Sequence, residues 1–177
     1  MKIKPGAPAL LLSLALTTLT GCSTNDTSDS DDIPSAGTTT SLAAADTAEK
    51  VSSEIYDLIG IKGKASDTGP GVKECGDKDP EKYFQIFHKW SFSPASASQL
   101  SGVMERLNSE LPEHGWKVVD HGPDTSKNQN VSLTADNDAK KHSVNIAHFA
   151  KRSSPKLSLM VVSGCYQVRD GQKVERF

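Results

Sequence analysis

Residues 83–92, YFQIFHKWSF, constrain the fold more than any other stretch of the chain. Phe84, Ile86, His88, Trp90 and Phe92 alternate with Tyr83, Gln85, Phe87, Lys89 and Ser91. A period of two puts the first set on one face of a strand. Aromatic and β-branched residues suit a pleated, half-buried surface. Such a strand needs a layer over its apolar face and partners along its edges, because unpaired backbone groups cannot be buried.

Candidates for both flank it. Asp46 followed by Glu49 has the spacing of a capping box, Val51, Ile55, Leu58 and Ile59 share one helical face, and Gly60 offers a C-terminal stop. Beyond the strand, Ser93-Pro94 opens a second helix, with Ser96 and Gln99 as another capping pair. Leu100, Val103, Met104, Leu107 and Leu111 then form an apolar stripe, and Pro112 and Gly115 end it. Four further strands follow: Trp116 to His121, then runs in which Val131, Leu133 and Ala135, Val144, Ile146 and His148, and Leu157, Leu159 and Val161 alternate. Residues 60–80, rich in Gly, Lys, Asp and Pro, read as an irregular loop. The order predicts an α+β domain: a mainly antiparallel sheet of about five strands with two helices packed on one face.

The N-terminus has a different character. Lys2 and Lys4 precede an apolar run from Ala9 to Leu19, which ends in Leu19-Thr20-Gly21-Cys22. The run is shorter than the roughly 20 residues that cross a bilayer. It resembles the signal peptide and lipobox of bacterial lipoproteins. That resemblance implies cleavage before Cys22, diacylation of its sulfur, and a chain held by its lipid anchor at the extracytoplasmic face of the cell membrane; two acyl chains hold stably where one does not. Residues 1–21 are then a leader. Residues 22–45 are the acylated Cys and a Ser/Thr/Asp-rich tether, too polar to order by itself. Residues 46–177 are left as a single globular domain.

With Cys22 committed to lipid, Cys75 and Cys165 remain of the three cysteines. An even remainder in an exported chain favours one disulfide. Strand direction agrees. If every connection reverses the chain, the last strand runs antiparallel to the first. Cys165, just after the last, then lies on the same side as Cys75, just before the first.

Charge excludes some partners. The chain has 20 basic and 22 acidic residues. Lys2 and Lys4 lie in the leader, and Asp26, Asp29, Asp31 and Asp32 lie in the tether, so residues 46–177 are balanced. A balanced domain has no global field to draw it to nucleic acid. Chemical motifs are equally sparse. No G-x-S-x-G, H-E-x-x-H, Walker-type loop or C-x-x-C occurs. Ser153-Ser154-Pro155-Lys156 matches S-x-x-K but falls in an expected turn between strands, whereas the reactive form of that motif starts a helix. His142 and His148 share strand parity, and His88 joins them on one sheet face if its strand lies nearby, where the three could bind zinc; separate solvation or packing at a strand end accounts for each of them as well. Trp90 and Trp116 read as core. The expectation is no catalytic residue, no metal and no cofactor.

The lipobox, the polar tether, YDLIGIKGKASDTGPGV before Cys75, LPEHGWKVVDHGPDTS, LTAD, and LSLMVVSGCY around Cys165 together resemble small uncharacterised lipoproteins of Streptomyces-type actinobacteria. They are similar, more distantly, to the mycobacterial LppA-type lipoproteins. The resemblance implies location and fold and carries no catalytic residues. Two functions follow as expectations: a tethered non-enzymatic module that binds an envelope protein, peptide or other envelope component, or an envelope enzyme or its accessory subunit. A deep pocket with convergent His, Asp or Glu would favour the second; a shallow apolar patch would favour the first.

Overall fold

In the computed structural model, which describes residues 33–177, the alternating stretch is the longest strand of the sheet. In chain order the elements are β1 (Ser35–Thr38), α1 (Ser41–Ile59), β2 (Gly63–Ala65), β3 (Gly71–Lys73), β4 (Tyr83–Pro94), α2 (Val103–Glu110), β5 (Lys117–Pro123), β6 (Val131–Asn137), β7 (His142–Phe149), β8 (Lys156–Ser163) and β9 (Cys165–Gln167). Short 3-10 turns, Ala97–Leu100 and Leu111–His114, flank α2. Through the sheet the order is β1-β9-β4-β8-β7-β6-β5, with β2 and β3 on the other edge of β4.

The α+β class and the two helices on one face are as expected; the strand count is not. The five long strands, β4 to β8, are those legible as alternating runs. Where they neighbour one another they pair antiparallel. Four strands of three or four residues complete a mixed sheet, because β1 runs parallel to β9. Three residues are too few to display a period of two, so β2 and β3 are invisible inside residues 60–80. Glycine makes room for both. A Cβ on Gly63 would overlap the Phe92 ring, and one on Gly71 would come within 2.7 Å of the Phe87 ring. These two strands therefore lie alongside an aromatic β4 that other residues would hold off.

The expected boundary at residue 46 also moves. Residues 35–38 pair with β9, and Thr40, not Asp46, caps α1, its Oγ1 accepting from the Ala43 N–H at 3.3 Å. The stretch read as tether is ordered from Ile33 onward because its small residues have a use in the fold. Ala44, Ala45 and Ala48 let the first half of α1 settle against Phe84, Ile86 and Tyr166. Residues 1–32, on which the expected leader, Cys22 and the acidic part of the expected tether fall, lie outside the described residues.

The second expected helix is interrupted. Gly102 takes a left-handed conformation (φ 74°) and splits it into the first 3-10 turn and α2. Its stripe is nonetheless buried throughout: Leu100, Val103, Met104, Leu107 and Leu111 are each at most 2% exposed. They meet Val51, Ile55 and Ile59 of α1 over a sheet row made of Trp90, Leu159, Ile146 and Leu133. Arg106 ties the two helices by donating to the carbonyl of Ile59.

Candidate functional site

Between the exposed flank of α1 and the 65–68 segment lies a shallow cleft of about 260 Å³. Its position follows from pairing. Beyond β2 the chain stays beside β4: the Ser66 N–H donates to the Ser91 carbonyl, the Ser66 Oγ accepts from the Ser91 N–H, and the Thr68 Oγ1 donates to the Lys89 carbonyl. This extended rim stands opposite Glu49, Ser52, Ser53, Tyr56 and Asp57 of α1, and His88 and Trp90 of β4 also line the space. The two carboxylates are the only charged groups in the lining.

Polar side chains converge there. The His88 Nδ1 lies 2.9 Å from the Ser52 Oγ, and its Nε2 lies 2.7 Å from the Thr68 carbonyl oxygen. A carbonyl can only accept, so Nε2 carries a proton, and in the tautomer with its single proton there Nδ1 accepts from the Ser52 hydroxyl. Ser52 and His88 are 4% and 8% exposed. Trp90 stands beside Tyr56, ring centroids 6.2 Å apart, with its indole Nε1 buried and without an acceptor. Among the described residues, Ser41 Oγ, Arg106 Nε and His142 Nε2 are the other buried side-chain atoms without a partner, and none belongs to this cleft. Size does not single the cleft out, since another depression reaches about 530 Å³. Convergence of buried polar groups does.

The residues expected from sequence fall elsewhere. Cys75 and Cys165 stand at disulfide distance, with Cα atoms 5.8 Å apart and both side chains buried. The antiparallel pairing of β4 with β8 brings them to one side of the sheet. The three histidines do not meet. His88 bonds to Ser52 and Thr68; the His142 Nδ1 donates to the Lys140 carbonyl at 2.7 Å; His148 lies near Glu105. No group of three or more His, Cys, Asp or Glu among the described residues could hold a metal. Ser153 and Ser154 lie in the β7–β8 turn. Trp90 and Trp116 are buried, at 5% and 3% exposure, although Trp90 also walls the cleft. What sequence reading missed is the Ser52–His88 pair, whose members are 36 residues apart and carry no shared motif.

No helix among the described residues is long and apolar enough to cross a membrane. Comparison with protein-family models, curated proteins and solved structures finds no match.

Proposed function

We propose that the protein is an extracytoplasmic module, acyl-anchored to the cell membrane through Cys22, that binds an envelope component in the cleft between α1 and β4. One observation carries the assignment of the site: the Trp90 indole N–H is buried in the cleft wall with no acceptor. A buried unsatisfied donor costs on the order of 1–3 kcal/mol, and a ligand acceptor recovers it where the cleft wall shifts enough to uncover the indole. Tyr56 adds a half-exposed aromatic face at the mouth, and Glu49 and Asp57 bias the site against anions. Neutral or amine-bearing ligands suit such a lining.

Anchoring and binding are tested separately. Cys22→Ala is expected to leave the protein unprocessed or released, outside the detergent phase in which the acylated chain partitions; a variant still processed and acylated would refute the anchor. For the cleft, envelope peptides and saccharides are titrated against tryptophan fluorescence and thermal stability. A saturable response that weakens at least tenfold in Trp90→Phe is expected. A response indifferent to Trp90→Phe would place the ligand elsewhere.

A further inference from the structure

We propose that Ser52 and His88 form a nucleophile–base pair that cleaves small carboxylic esters, an inference that rests on the cleft being the ligand site and goes beyond binding. A serine hydroxyl is a weak nucleophile until a base takes its proton, and a base works only in the right tautomer. Both conditions are met here. The Thr68 carbonyl holds the His88 Nε2–H at 2.7 Å, which leaves the Nδ1 lone pair facing the Ser52 hydroxyl at 2.9 Å. The orienting carbonyl is itself held, because Thr68 is bound to β4 through its side chain. Nucleophile, base and orienting group thus form one line of hydrogen bonds, and Ser52, His88 and Thr68 all line the same open cleft.

The step balances without a further reagent except water. The Ser52 Oγ attacks the ester carbonyl carbon while its proton passes to the His88 Nδ1; the C–O bond to the leaving group breaks, and that proton goes to the departing alkoxide. Water then gives a proton to Nδ1 and attacks the acyl-serine, and the carboxylic acid leaves as Ser52 regains its hydrogen. The imidazolium formed on the way keeps its Nε2–H on Thr68. A carbonyl stabilises that cation less than a carboxylate does, so turnover is slow compared with a Ser-His-Asp enzyme. A cleft of about 260 Å³ with Glu49 and Asp57 at its edge takes short neutral or amine-bearing esters and disfavours phosphate esters.

The test uses the full chain in detergent, with an alkyl fluorophosphonate as covalent probe and phenyl acetate as substrate. On attack the Oγ–P bond forms, the P–F bond breaks, and fluoride and the serine proton leave as HF. A single adduct on Ser52, found by peptide mass spectrometry, is expected, together with phenyl acetate hydrolysis that Ser52→Ala abolishes and phenyl phosphate left intact. His88→Gln should slow labelling at least tenfold. Absence of a Ser52 adduct in the folded wild-type chain overturns the proposal whatever the variants do. Labelling spread over exposed serines, or unaffected by His88→Gln in a variant that melts as the wild type does, overturns it too. Saturable binding of an unreactive ester analogue with no adduct would overturn the chemistry and keep the cleft as a binding site.

Discussion

His142 and His148 face the helix side of the same strand, yet they sit in different surroundings. His142 is 3% exposed, with Nε2 buried and unpartnered; burial pushes its pKa below the usual histidine value of 6.5, the hydrogen bond to the Lys140 carbonyl opposes this, and the Lys140 charge adds a smaller downward push. His148 is also pushed down, again by burial, with Glu105 opposing. A histidine that is harder to protonate when folded contributes stability above its unfolded pKa and loses it as the pH falls toward the folded value. The domain is therefore expected to lose thermal stability as pH drops from 7 to 5, and His142→Gln should flatten that slope; urea titrations at stepped pH would measure it. Leu107 sets the scale for apolar packing. It is fully buried in α2, and Leu107→Ala should cost about 2–4 kcal/mol in chemical denaturation.

At the scale of elements, β1 and the start of α1 matter most, because composition argues for one outcome and packing for another. Apart from Ile33 and Leu42, residues 33–45 are polar or small, and they cannot order themselves. They order because β9 offers an edge, Thr40 supplies an N-cap, and Ala44 and Ala45 fill a gap beside Phe84 and Tyr166. Removing them exposes that edge and leaves a frayed helix start. A chain beginning at residue 46 is expected to melt at least about 5 °C below one beginning at residue 33, since losing a cap and two buried alanines costs about 2 kcal/mol. Equal melting temperatures would show that β1 and the cap contribute nothing. The interrupted second helix teaches the same lesson. Gly102 breaks the helix, yet the stripe survives, because burial selects side chains by their distance from the sheet and tolerates a change in backbone path.

For the whole molecule, the Cys75–Cys165 pair spans most of the sheet in sequence, with a separation of 90 residues. It joins the segment just after β3 to β9, and β9 in turn carries β1. Closing a loop of that length removes enough unfolded-state entropy to stabilise by about 4 kcal/mol in the chain-entropy model. Non-reducing peptide mapping of the purified protein should recover the two cysteines in one cross-linked peptide. Reduction should lower the melting temperature by roughly 10 °C, loosening β1 and β9 first. Two free thiols in protein purified without reductant would contradict this.

Local periodicity determined a good deal on its own. The alternation in β4 to β8, the stripe from Leu100 to Leu111 and the turn residues between them specify the α+β class, because a period of two or of 3.6 is a property of neighbours in sequence. Strand direction, too, was readable: each long element reverses the chain, which is why both remaining cysteines could be expected on one side of the sheet. Tertiary structure alone decided the rest. Strands of three or four residues form only against an edge that another part of the chain provides, so β1, β2, β3 and β9 left no pattern to read. The cleft is the sharpest case. Ser52 looks like a polar residue in an amphipathic helix and His88 like one more member of an alternating strand. Only the docking of α1 on β4 puts the hydroxyl 2.9 Å from the ring nitrogen, and only the β2–β3 rim brings the Thr68 carbonyl to the other side of that ring. A hydrogen bond depends on distance in space, and no spacing along the chain encodes it.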